Sequence, residues 1–327
     1  MMEQTPSFTA CRDVNPLKRP GINRLWSWQA VAHGADAVLY FQLRASRGAS
    51  EKYHGAVIGH AGRADTRVFG EVAQLGAELD RLGGVSLGAR TPARVALLFD
   101  WDSWWALEIS DGPSRLVRYQ QVVRAYHRAL WDAGADVDVV AVTADLSGYD
   151  VVVAPALHMV KGDLAQRLEM VAARGGSVVT TFLSGRVDED DNVFELVIPQ
   201  GAEIVGTYRA DFCAGTAAVT RNTFGAGHGW YVAAGLEQDG VSWVMRQVLA
   251  RHDLLGPYAD VPDLEAAVRV APDGTRLLFL LNHATAPAEV AACATGLDLL
   301  TGERMSRGQP LVLDPAGVMV IRCDDSL

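Results

Sequence analysis

Apolar and polar positions alternate in three different ways along this chain, and the changes divide it. In the first stretch, Leu25, Trp26, Gln29 and Ala30 with Gly34 just beyond predict a helix from about Arg24 to His33. Ala35 to Phe41 is then an apolar run of strand character, and Val68, Val72, Leu75, Leu79 and Leu82 carry the period of an amphipathic helix over Thr66 to Leu82. Gly83-Gly84 supplies its C-cap. A turn-rich connection follows between Gly88 and Pro92, and the pattern changes.

Beyond it, short continuous apolar runs alternate with helical periods. Arg94 to Phe99, Ala135 to Val142, Asp150 to Leu157 and Ser177 to Leu183 read as strands, and Arg115 to Ala133 and Gly162 to Arg174 as helices, each stopped by glycine. Strands and helices in this alternation predict a parallel sheet covered on both faces. Ala217 to Phe224 and Gly229 to Ala234 predict a hairpin, and Gly240 to His252 a helix. From Asp263 onward only strands and turns remain. Ala266 to Val270 and Arg276 to His283 flank the turn Pro272-Asp273-Gly274-Thr275, and Leu297 to Thr301, Gln309 to Leu313 and Gly317 to Arg322 follow as further strands.

Composition narrows the partners. With 327 residues, 49% hydrophobic and 21% charged, the chain is long enough for two or three cores. A formal net charge of -10 argues against nucleic acid or an anionic membrane surface. No secretory leader and no long uncharged apolar stretch is read in it, so a cytoplasmic location without a membrane partner is expected. Cys11, Cys213, Cys293 and Cys323 lack metal-ligand spacing and a disulfide framework, so free thiols, no metal and no cofactor are expected.

The candidate chemistry lies near the start. After the apolar run, Arg44, Arg47, Glu51 and His54 occupy a polar loop with no helical apolar stripe, and Glu3 precedes the long loop from Pro6 to Pro20. Polar residues just past buried strands are where a parallel barrel carries its function. Paired carboxylates there suit glycosidic chemistry. Elsewhere the signals are weaker. No Gly-x-Gly-x-x-Gly follows the strand ending at Phe99, no nucleophile elbow follows Leu157, and Asp188 to Asp191 lacks calcium-loop spacing. The tryptophans of Trp101 to Trp105 read as an interface or interdomain cluster, and less readily as a sugar platform. Asn282 and His283 read as strand-end polar groups rather than ligands.

The ordered motifs Glu3-Gln4-Thr5-Pro6-Ser7, Pro16-Leu17-Lys18-Arg19-Pro20-Gly21, Trp26-Ser27-Trp28-Gln29, Ala37 to Gln42 and Glu51-Lys52-Tyr53-His54 carry a resemblance. Together the series resembles the C-terminal part of the catalytic barrel of the family 42 glycoside hydrolases, bacterial β-galactosidases. The resemblance implies an α/β fold class in three parts: a remnant of a (β/α)8 barrel over 1–90, a parallel-sheet α/β trimerisation-type domain over 91–258, and a small β-sandwich over 262–327. It implies that Glu3 is the nucleophile, that Glu51 and His54 hold the galactosyl unit, and that Cys11 stands where the family places a stacking tryptophan. A galactoside substrate and a homotrimer are the partners it implies. The general acid/base of the family belongs to earlier strand-helix units with no counterpart in this sequence, and an internal deletion is expected after Phe194. A non-catalytic chain, serving in oligomerisation or carbohydrate binding, is the alternative expectation.

Overall fold

Helix α1 (Ile22–Ala32) starts two residues earlier than its apolar spacing suggests, because Gly21 turns the chain with a positive φ of 82°. Its buried face carries Leu25, Trp28, Val31 and Ala32. Helix α2 (Arg67–Leu82) is capped by Thr66, whose hydroxyl accepts from the Phe69 amide, and is ended by Gly83 at φ 63°. The structure, a computed structural model, describes residues 1–111, 117–185, 200–210 and 213–325. These fall into two units, Ala93–Ala259 and a second made of Met1–Pro92 with Asp260–Leu327.

Between the two helices, Ala35 to Phe41 departs from the expected strand. It is extended and runs parallel to the first residues of the chain, but only Tyr40 forms a bridge, with Gln4. Leu39 N donates to Met1 O, Gln4 N to Leu39 O and Phe41 N to Gln4 O. At its start, Asp36 is drawn aside to accept from Arg269 and the Gly88 amide, which takes that end out of a ladder. A further parallel bridge joins Arg44 and Ile58.

The Ala93–Ala259 unit contains β1 (Val95–Phe99), α3 (Trp101–Ile109), α4 (Tyr119–Asp132), β2 (Val137–Ala141), β3 (Val151–Ala154), α5 (Leu164–Ala173), β4 (Ser177–Thr181), β5 (Glu203–Thr207), β6 (Ala217–Phe224), β7 (Gly227–Val232) and α6 (Gln238–Ala250). Strand order is β2-β1-β3-β4-β7-β6-β5. The first five of these are parallel, as the alternation predicts. The sheet is nonetheless mixed, because the turn at Gly225-Ala226 sends the chain back on itself and β6 and β5 add antiparallel. Alternation along the buried strands supplies two cores. Val95, Leu97 and Val153 face Tyr126 of α4 and Met245 of α6, whereas Ala96, Leu98 and Val152 face Leu164 and Val171 of α5. The run after Phe99 forms α3, a helix the tryptophan-rich composition did not announce, with Asp100 accepting from the Ser103 amide at 2.9 Å as its cap. The expected start of the following helix at Arg115, the acidic turn Asp188 to Asp191 and the break after Phe194 lie outside the described residues.

The other unit resumes with β8 (Leu264–Val270), β9 (Arg276–Asn282), β10 (Ala288–Ala291), β11 (Gly296–Asp298), β12 (Arg304–Met305), β13 (Pro310–Leu313) and β14 (Val318–Cys323). Five strands form an antiparallel sheet, β12-β11-β14-β9-β8, and β10 pairs with β13. Around the predicted turn, Gly274 adopts φ 87° and the Thr275 amide donates to Asp273 Oδ1. The strand expected over Leu297 to Thr301 stops at Asp298, whose carboxylate accepts from the Leu300 amide and the Thr301 hydroxyl and bends the chain. Ala267, Phe279, Leu281 and Val320 on one face of this sheet share a core with Leu25, Trp28, Leu75 and Leu82 of α1 and α2.

Candidate active site

The alternation of an extended strand decides where Glu3 points. Gln4 is buried toward α1, with its amide Nε2 at 3.4 Å from Ser27 Oγ, so Glu3, on the opposite side of the backbone, points away from that helix and is exposed. In a parallel barrel this is the direction of the interior rather than of the helix layer. Beneath the backbone, Asn23 Nδ2 donates to Tyr40 OH at 3.1 Å and the Ser27 hydroxyl to Asn23 O at 2.7 Å, a polar seam joining α1 to both extended segments.

After Glu3 the chain runs through the buried Pro6 and Ser7 to Phe8, and here it meets the second group of expected site residues. Gly55 N donates to Phe8 O at 2.9 Å. The approach needs glycine, since a Cβ on residue 55 would lie 2.7 Å from Phe8 O and 2.8 Å from Phe8 N. Glu51 sits in a single 3-10 turn, Ser50–Tyr53, and is exposed. His54 follows it, is buried, and packs edge-on against Phe41 with ring centroids 5.0 Å apart. Its Nδ1 lies 2.9 Å from Gly55 O. A carbonyl only accepts, so Nδ1 carries the proton, and Nε2 is the nitrogen left for other partners. A cavity of about 340 Å³ opens at this junction, lined by Ser7, Phe8, Tyr53, His54, His60 and Thr66 among others.

Cys11 lies at an exposed position in a turn closed by Asn15, which accepts from Thr9 Oγ1 and the Arg12 amide and donates to Arg12 O. The structure thus brings the segment after Glu3 together with that of Glu51 and His54, and places Cys11 in the intervening loop. One residue that the sequence reading quoted only within the motif Pro16 to Gly21, with no role of its own, lies beside this site. Lys18 is buried, and its ammonium donates to Gln4 Oε1 at 2.8 Å and to Thr5 O. In the sequence it stands inside Pro16-Leu17-Lys18-Arg19-Pro20-Gly21, a motif that carries the resemblance without saying what the lysine touches.

In the Ala93–Ala259 unit, the tryptophans form one aromatic group at the end of β1. Trp101 and Trp104 stack at 5.0 Å, Phe99 lies edge-on to both, and Lys161 Nζ bonds Asp100 at 2.9 Å beside them. Trp101, Trp105 and Ile109, spaced i, i+4 and i+8, form an exposed stripe on α3, at 54%, 55% and 87% accessibility. His283 and Asn282 are structural, as expected. Asn282 Nδ2 bonds the carbonyls of Ala286, Leu313 and Asp314, and His283 Nε2 bonds Glu265 at 2.6 Å. Among the described residues no helix is long and apolar enough to cross a membrane.

Comparison with known proteins covers nearly the whole chain. Residues 1–82 match a family model described as β-galactosidase, 93–199 and 191–255 match the β-galactosidase trimerisation domain, and 263–322 match the β-galactosidase C-terminal domain. The β-galactosidase BgaA of Planococcus sp. is 39% identical over 372 residues, covering 98% of this chain and 54% of that protein. LacZ of Lactobacillus acidophilus is 36% identical, covering 93% and 52%. Among solved structures, the β-galactosidase of Bacillus circulans superposes with a TM-score of 0.91 at 37% identity, over 99% of this chain and 55% of that one. Gan42B, a family 42 β-galactosidase of G. stearothermophilus, gives 0.89 at 32%, over 98% and 53%. The chain therefore spans about half the length of the relatives it matches.

Proposed function

The chain belongs to the β-galactosidases of glycoside hydrolase family 42, and from that premise we propose that its Met1–Pro92 segment carries the nucleophile side of a retaining site for terminal β-galactosides. Glu3 attacks the anomeric carbon, the bond to the leaving oxygen breaks, and a general acid protonates that oxygen. Water then attacks the glycosyl-enzyme with the same group acting as base. That acid/base stands ~5–5.5 Å from the nucleophile in retaining enzymes and belongs, by resemblance, to barrel units ahead of Glu3. Glu51 and His54 hold galactosyl hydroxyls, His54 through Nε2. Cys11 takes the place of a stacking tryptophan, which weakens the sugar contact by about 1–2 kcal/mol.

The observation that supports this reading is the close junction of Gly55 with Phe8, which brings the His54 turn against the loop that leaves Glu3. In solution the protein is a homotrimer, assembled through the Ala93–Ala259 unit. The test joins the full chain behind the barrel segment of a complete relative and measures hydrolysis of a nitrophenyl β-galactoside. Turnover is expected, abolished by Glu3→Ala and raised about tenfold in kcat/KM by Cys11→Trp. Glu51→Ala and His54→Ala lower activity more than thermal stability. Turnover that survives Glu3→Ala would remove Glu3 from the mechanism, and no turnover at all would favour a non-catalytic role in assembly.

A further inference from the structure

We infer that Lys18 is a positioning residue for Glu3, holding the backbone that carries the carboxylate by gripping the two residues that follow it. This rests on the reading of Glu3 as nucleophile. Lys18 stands in the long loop after Glu3, yet only 8% of its surface is exposed. The ammonium reaches back to Gln4 Oε1 at 2.8 Å and to Thr5 O, and lies 5.0 Å from the centre of the Trp26 ring. Its own backbone is fixed as well. Lys18 N donates to Ser7 O at 3.2 Å, and Arg67 Nη2 donates to Lys18 O at 3.0 Å from the first turn of α2.

The geometry closes around one point of the chain. Gln4 N and O pair with Leu39 and Phe41 on the neighbouring extended segment, and the Gln4 side chain is held by Lys18 at its oxygen and by Ser27 at its nitrogen. Thr5 is held through its carbonyl, and its hydroxyl donates to Phe8 O at 3.0 Å. The paired segment holds the Gln4 backbone, and of the four further groups of the dipeptide that these bonds engage, Lys18 holds two, Gln4 Oε1 and Thr5 O.

A filler of the same length would not need charge. The two groups that accept from the ammonium are neutral oxygens, and burial pushes the Lys18 pKa down, to about 8. An uncompensated ammonium in such a place opposes folding, so a methionine stem of the same reach would serve packing better. What charge and three donors add is a rigid grip on a backbone, the requirement of a nucleophile that must meet the anomeric carbon within a fraction of an ångström.

Two measurements separate this inference from the reading beneath it. In the full chain as it stands, Lys18→Met is expected to speed amide exchange at Gln4 and Phe41 by about tenfold or more relative to the amides of α2, while Lys18→Arg, which keeps charge and donors, moves it less. Unchanged exchange in Lys18→Met overturns the inference whatever the activity of the chain. In the barrel-joined protein, once Glu3→Ala has been shown to abolish hydrolysis, Lys18→Met is expected to lower kcat by about tenfold with KM within about twofold, and Lys18→Arg to recover most of it. A fall in melting temperature with kcat intact would make Lys18 a packing residue only. Persistence of hydrolysis in Glu3→Ala would instead count against the nucleophile, with the exchange experiment still deciding whether Lys18 holds this backbone.

Discussion

His54 commits Nδ1 to the Gly55 carbonyl, and that bond fixes which nitrogen is available to a ligand. The arrangement depends on residue 55 having no side chain. Gly55→Ala would drive a methyl group against Phe8, so either the His54 turn or the loop after Glu3 must move. We expect a loss of about 1–3 kcal/mol in the stability of this unit, read by urea unfolding, the size of an overpacking strain. Gly59→Ala, where a Cβ meets nothing within 4 Å, is the control and should be close to neutral. At this scale the sequence offers candidates where the motif is short. Glu3, Glu51 and His54 were each proposed from their immediate neighbours, whereas the contacts of Gly55 and Lys18 depend on partners 47 and 13–14 residues away, which a local motif does not name.

At the scale of elements, one carboxylate ties α1 to the C-terminal sheet. Glu265 of β8 is buried and accepts from Gln29 Nε2 at 2.9 Å, from His283 at 2.6 Å and from His33. Burial pushes its carboxyl up, and the hydrogen bonds and charges of His283 and His33 outweigh that, leaving the pKa at about 2 against an ordinary 4.5. A carboxyl depressed by folding contributes stability above its unfolded pKa and loses it as pH falls through the folded one. Acid titration followed by near-UV circular dichroism should therefore show this unit weakening between about pH 4.5 and pH 2. In Glu265→Gln that window should flatten, with a cost at neutral pH of roughly 2–4 kcal/mol. Arg269 makes a second tie on the same strand. It is fully buried and bonded to the carbonyls of Val31 and Ala89 and to Asp36. Strand β8 itself was legible from alternation. That its two polar residues serve a helix more than 230 positions earlier was not, because periodicity reports which face is buried and says nothing about what covers it.

For the molecule as a whole, the exposed stripe of Trp101, Trp105 and Ile109 is the surface on which the proposed homotrimer can be tested. Changing both tryptophans to serine should lower the mass in light scattering to that of a single chain, with far-UV circular dichroism unchanged. Trp26→Ser, exposed on α1 in the other unit, should leave the mass as it was. A wild-type protein that is already monomeric at tens of micromolar would exclude the stripe as a stable contact. Most of the α/β order was readable here, since βα alternation is a local signal repeated many times. The antiparallel edge was half legible. The hairpin of β6 and β7 carries its own turn, but β5 follows residues outside the described part of the chain and, among the described residues, pairs with β6 alone.

The unit that holds Glu3 is written in two pieces, with all of Ala93–Ala259 between them. A ribosome delivers residues at about 5–20 per second, so roughly ten to forty seconds separate the emergence of α2 from that of β8. Throughout that interval Leu25, Trp28, Leu75 and Leu82 are outside the tunnel before Ala267, Phe279 and Val320, the side chains that will share their core, have been made. The intervening unit is one continuous stretch, so its core needs no residue made after Ala259. Translation speed across the middle of the message thus sets how long an adhesive surface is offered to other nascent chains. Slower codons there should raise the demand for trigger-type chaperones, and faster ones should reduce it.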